Sequence, residues 1–196
     1  MVYLNIFRVI HLGICFLLLF CAFNTLGGLI QSICSDLKLP NNFGLIMQGA
    51  IYLSFSIFSF FTGGLISKFG TRRVMAISSI VYLIWILVLS IPAYCTQHND
   101  LNHSVGFCNS KTWQEVILIF MSVIVGIAAG PMWVSQPIYV DECSIERKTD
   151  FFQGIFWSIL MIQSFIGNLI SYLLFKFRKG NDFSDFSYII GCSIIA

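Results

Sequence analysis

The chain has 196 residues and a formal net charge of +2; 57% of its residues are hydrophobic and only 10% are charged, giving a mean hydropathy of +0.85. That balance leaves too little polar surface for a soluble globular domain, and it supplies no basic block with interleaved aromatics for nucleic acid. The apolar residues instead come in runs long enough to cross a bilayer, where about 20 residues rising about 1.5 Å each cover a hydrocarbon layer of about 30 Å.

Five runs are predicted as membrane helices: Val9 to Ile33, Leu45 to Ile66, Val74 to Ile91, Val116 to Val140 and Phe151 to Phe175. A sixth opens near Phe186 and reaches only Ala196, about half the length a span needs, so the last helix is expected to be cut short. Arg8 before the first run suits a signal peptide, but the run exceeds a usual h-region and no Ala-x-Ala-like site follows it. No loop is long enough for a folded soluble domain, the longest being Pro92 to Thr112. Cys15, Cys21, Cys34 and Cys192 lie in or beside apolar stretches, where a free thiol behaves as a small hydrophobe, and Cys143 ends the fourth run.

Basic residues nearly tie on orientation. With the N-terminus inside, Arg8, Lys68, Arg72, Arg73, Arg147 and Lys148 face the cytoplasm, against Lys38, Lys111, Lys176, Arg178 and Lys179 outside. The acceptor sequence Asn102-His103-Ser104 breaks the tie, because glycosylation of Asn102 requires the lumenal or extracellular side. A cysteine introduced at Ser104 should therefore react with an impermeant thiol reagent added from outside; reaction only from the cytoplasmic side would overturn the topology.

Between the second and third runs stands Gly63-Gly64-Leu65-Ile66-Ser67-Lys68-Phe69-Gly70-Thr71-Arg72-Arg73, which resembles the signature loop of the major facilitator superfamily. Glycines permit a tight turn at the membrane face, and arginines pair with acidic helix ends. Ser67 stands where that superfamily usually has aspartate, so Asp141 and Glu142, at the end of the fourth run on the same side, are the candidate partners of Arg72 and Arg73. Ordinary juxtamembrane charge is the other reading.

The fourth run reads Gly126-Ile127-Ala128-Ala129-Gly130-Pro131-Met132-Trp133-Val134-Ser135-Gln136-Pro137-Ile138-Tyr139. At 100° per residue Gly126, Gly130 and Trp133 share a face, which suits a helix-packing seam or, around Trp133 and Gln136, a cavity or partner surface. Pro131 and Pro137 each remove a backbone donor and favour a kink. The fifth run carries Gln153, Trp157, Ser164, Asn168 and Ser171 on one stripe; weaker stripes follow Asn24, Gly28 and Gln31 in the first run and Gln48, Tyr52 and Ser59 in the second. Such stripes avoid lipid and face other helices or a watered cavity, because hydrocarbon offers amides and hydroxyls no partner.

The stretch Leu12 to Leu26, the fourth run, and Gly154-Ile155-Phe156-Trp157-Ser158 with Gly167-Asn168-Leu169-Ile170 are similar to the ion-channel regulators named for the uncoordinated-ninety-three mutant. Pro137 departs from that family's common glycine. The resemblance covers residues 8 to 172 and implies an all-α membrane protein of twelve helices in two pseudo-symmetric halves, this chain supplying the N-terminal six-helix half with its sixth helix incomplete. It also implies roles as an auxiliary channel subunit or a trafficking chaperone for receptors. One half alone leaves its polar stripes uncovered, so the chain is expected to be poorly stable without the C-terminal half.

Enzymatic chemistry finds little footing. His11, His98 and His103 form no His-Glu-x-x-His motif, no Gly-rich phosphate loop precedes a helix, and no paired carboxylates sit inside a span; no cofactor is expected. Cys95, His98, His103 and Cys108 cluster after the third run, where a lumenal Cys95–Cys108 disulfide is the favoured reading, with unpaired thiols and a zinc site as the others. The five runs hold no carboxylate well inside the membrane, which argues against proton coupling. The expectation is a non-enzymatic accessory protein of the bilayer, in the plasma membrane or an endomembrane, that acts on another membrane protein such as a channel or receptor; a facilitative transporter of a small solute is the alternative.

Overall fold

The computed structural model describes residues 2–36, 39–98, 111–144 and 148–177. Among these the secondary structure is entirely helical: α1 (Val2–Asp36), α2 (Phe43–Ser59), α3 (Thr62–Phe69), α4 (Thr71–His98), α5 (Lys111–Cys143) and α6 (Thr149–Phe177). The stretch expected as a sixth span lies outside the described residues, as do Asn102 and Cys108. Four helices are each long and apolar enough to cross a membrane, and α2 with α3 makes a fifth when counted as one bent span. An integral, multi-pass membrane protein follows, because helices this apolar satisfy their own backbone polar groups and leave their side chains to lipid.

Two differences from the sequence reading have physical causes. The run expected as one helix from Leu45 to Ile66 breaks at Phe60–Phe61, with a 65° bend between α2 and α3. There the Phe61 amide turns back to the Phe58 carbonyl, and the Thr62 hydroxyl donates to the same oxygen at 3.2 Å, so the broken ladder is locally capped. The second difference is at α4, which continues through Pro92 to His98 and so puts Cys95 on a helix instead of in a loop. A proline withdraws one donor and need not end a helix.

The core runs along α5. This helix packs against α1, α2, α3, α4 and α6, and half of its span is buried, whereas only 22% of the α6 span is. Small residues make that centrality possible. A Cβ on Gly126 would lie 2.4 Å from the Ser54 hydroxyl and closer still to the Ile51 carbonyl oxygen, and one on Gly130 would lie 2.8 Å from the Ser59 amide, so α2 and α5 touch almost backbone to backbone. On the other side α1 meets α6, where a Cβ on Gly167 would lie 2.5 Å from the Thr25 hydroxyl oxygen. Cys21, Cys34 and Cys143 are buried free thiols. Burial pushes the Cys34 thiol, beyond the first span, up to about 11, so it packs as a neutral apolar group.

Candidate functional site

Three clusters gather the residues singled out by the sequence. At the heart of the bundle, Trp133 of α5 stacks on Trp157 of α6 with ring centroids 5.9 Å apart and planes 15° from parallel. Its other contacts are edge-on to Phe16 at 5.9 Å and tilted against Phe20 at 4.9 Å. The cluster continues through Phe23 to Tyr82 and Trp85 of α4, with centroids 4.8 and 4.9 Å away. Trp133 therefore faces α1 and α6, while Gly126 and Gly130 face α2, although all three project to one side of an ideal helix. The helix surface is wide enough to serve two neighbours at once.

Amides join the same helices. Gln136, 2% exposed, donates from Nε2 to Oε1 of Gln153 at 3.1 Å, and Gln153 donates from its own Nε2 to the Pro137 carbonyl at 3.3 Å. Deeper along α6, Asn24 Nδ2 donates to Gln163 Oε1 at 3.2 Å, and Gln163 Nε2 donates to the Ser164 hydroxyl at 2.9 Å. Gln48 donates to the Gly27 carbonyl at 2.8 Å. These bonds fasten α5 to α6, α1 to α6 and α1 to α2, since a polar pair in hydrocarbon has nowhere better to go. Gln163 was missed in the sequence reading: it lies on the buried side of α6 with Phe156 and Leu160, whereas Trp157, Ser164 and Asn168 are exposed. Between α1, α2 and α4 a cavity of about 200 Å³ is lined by Asn24, Gly28, Gln48, Tyr52 and Trp85 among others. The Trp85 Nε1, Gln31 Oε1 and Ser135 Oγ atoms are buried without a hydrogen-bond partner.

The third cluster sits at the membrane face. Gly70 closes α3 with a φ of 79°, a value that a side chain tolerates poorly, so the turn of the signature loop falls there. Gly63 and Gly64 lie within the α3 helix. Lys68 lies 5.5 Å over the Phe69 ring, and the Ser67 hydroxyl donates to the Gly64 carbonyl. Arg72 lies 5.4 Å over Tyr139 of α5, while Glu142 accepts from the Thr71 hydroxyl at 3.3 and 3.4 Å and Asp141 from Thr149 at 2.7 Å. The loop is thus tied to the end of α5 by Thr71 on Glu142 and by Arg72 on an aromatic face, and Arg73 is exposed.

The profile of the Major Facilitator Superfamily matches residues 12–180. The chain belongs to that superfamily. Among curated superfamily relatives it is similar to "UNC93-like protein MFSD11" of Xenopus laevis, with 28% identity across 88% of this chain and 34% of the relative. It is also similar to "Putative potassium channel regulatory protein unc-93" of Caenorhabditis elegans, at 28% identity over 84% of this chain and 21% of that protein. A third relative, "UNC93-like protein 3" of Arabidopsis thaliana, is 24% identical over 88% of this chain and 34% of its own length. The chain thus spans about a third or less of the curated relatives it matches. No solved structure matches it. These relatives agree with the uncoordinated-ninety-three resemblance read from Leu12 to Leu26, the Trp133 segment and the Trp157 segment.

Proposed function

We propose that this superfamily member is a non-enzymatic accessory subunit that regulates or delivers another membrane protein, a channel or receptor, with the C-terminal half of the same fold completing it. The observation that carries this reading is the contrast between the two sides of α6. Its inner side is closed by the Gln136–Gln153 and Asn24–Gln163 bonds, while Trp157 and Asn168 stand exposed in a span. Polar groups exposed at bilayer depth call for protein cover, which in this reading the C-terminal half and the partner protein share. Among the described residues the carboxylates stand near helix ends, at Asp36, Glu115, Asp141, Glu142 and Asp150, which leaves no acid deep in a span to couple a proton. The worm relative's name as a potassium channel regulatory protein points the same way.

Asn168→Leu in the full-length protein should lower the recovery of co-purifying membrane proteins, or their surface delivery, severalfold, while membrane insertion and thermal stability stay within experimental error. The side chain is exposed, so its removal opens no cavity, and leucine raises hydrophobicity. The cavity of about 200 Å³ lined by Asn24, Gln48 and Tyr52 supports facilitative transport as a second reading. A saturable solute flux in liposomes holding only the purified protein, abolished by Asn24→Leu, would select transport over the accessory role.

A further inference from the structure

The cavity between α1, α2 and α4 has an unsatisfied donor in its wall. Trp85 of α4 lines it and is 1% exposed, yet the indole Nε1 has no hydrogen-bond partner. An indole nitrogen only donates, and a buried donor left without an acceptor carries its full desolvation penalty. The glycines of α1 leave the space beside it, since a Cβ on Gly27 or on Gly28 would meet nothing within 4 Å. At about 200 Å³ the cavity exceeds the roughly 150 Å³ that takes a benzene ring.

The other lining groups define what fits. Gln48 turns its Nε2 to the Gly27 carbonyl and Asn24 its Nδ2 to Gln163, so each amide oxygen is left to accept. Tyr52 adds a hydroxyl, and no charged side chain lines the cavity among the described residues. A ligand here must accept from the indole and donate to an amide oxygen, which a single hydroxyl does at once. Phe23, Ile30 and Ile51 make the rest of the wall apolar. Gln48 and Tyr52 stand five and nine residues beyond Phe43, the start of α2, about 8 to 14 Å along its axis. The cavity therefore lies in one leaflet, on the side of the turn between α1 and α2.

We propose that this cavity binds a small neutral alcohol or polyol, no larger than about a six-membered ring, with one hydroxyl between Trp85 Nε1 and Gln48 and its hydrocarbon face on Phe23 and Ile51. Water offers the same hydroxyl chemistry but leaves the apolar wall unmatched. The site rests on the same cavity as the transport reading, yet the two fail separately. A protein that holds the alcohol and moves no solute rejects transport alone, and one that moves a solute without holding the alcohol rejects the site alone.

Saturation-transfer NMR on the full-length protein in deuterated detergent tests this, with cis-1,2-cyclohexanediol as the probe. The wild type should show saturable transfer beyond that of empty micelles, half-maximal on the order of 1 mM. The dimethyl ether of the same diol keeps the acceptors and loses the donors, so it should bind about tenfold more weakly. Trp85→Phe, which removes the donor and keeps an aromatic ring, should weaken the diol about fivefold. Gly27→Val, whose Cβ meets nothing within 4 Å, should abolish the transfer by occupying the cavity while the thermal midpoint stays within experimental error. Gly154→Ala on α6, equally free of neighbours, should change nothing. Absence of saturable transfer to the wild type overturns the proposal, leaving water or a side chain of the C-terminal half in the cavity. So does a diol that binds no better than its ether, or binding that survives both Trp85→Phe and Gly27→Val, which would place it elsewhere.

Discussion

Gly126→Ala should lower the thermal midpoint of the full-length protein in detergent by several degrees, although alanine is the better helix former by about 1 kcal/mol. The new methyl would sit 2.4 Å from the Ser54 oxygen and closer to the Ile51 carbonyl, and the carbonyl belongs to the α2 backbone and cannot rotate away. The helices must separate, and overpacking of this kind costs about 1–3 kcal/mol, more where the opposing atom is main chain. Gly126→Val should prevent accumulation of folded protein. Gly49→Ala supplies the control: a Cβ there meets nothing within 4 Å, so the midpoint should hold or rise. A Gly126→Ala midpoint equal to that of Gly49→Ala would remove the tight α2–α5 seam from the account.

Trp133→Ala should cost still more, on the order of 3–5 kcal/mol, the range for deleting a large aromatic from a packed interior. Trp133 joins Phe16 and Phe20 of α1 to Trp157 of α6, and through Phe20 it connects to Tyr82 of α4. Removing it loosens three helices together. Trp157→Ala should cost markedly less, because Trp157 is 40% exposed and its outer face touches no other part of the described chain. Chemical or thermal unfolding of the two variants in the same detergent provides the ranking. If Trp157→Ala proves the more damaging, the centre of the packing lies on α6.

The spans were legible because hydropathy is the signal that a bilayer reads. Runs around Val9, Val74, Val116 and Phe151 all became helices long enough to cross. The break at Phe60–Phe61 was not legible, since Phe-Ser-Phe-Phe carries neither proline nor glycine, and next to it Ser59 lies close against Gly130 of a helix distant in sequence. Gln163 was missed for a related reason. In a water-soluble helix the polar side is the outside, but a membrane helix is apolar all round, and a polar side chain marks a contact without saying which face is inward. The stripe through Trp157, Ser164 and Asn168 drew attention away from the buried amide between them. At the signature loop the turn glycine was readable as a class. That Gly70 takes it, and that Thr71 holds Glu142 while Arg72 turns to Tyr139, depends on how α5 ends.

The bend between α2 and α3 also sets a thickness. α2 has 17 residues, about 26 Å of helix, and the eight residues of α3 add only about 5 Å along its direction after a 65° turn. This corner therefore offers the bilayer an edge of about 31 Å, while the 33 residues of α5 extend about 50 Å. Lipids bordering α2 meet a wall that barely matches an average membrane, and any thickening strands its ends in acyl chains. A membrane rich in sterol and sphingolipid would press on this corner first, tilting α2 or drawing α3 inward. Compartments with thinner bilayers would leave it undisturbed.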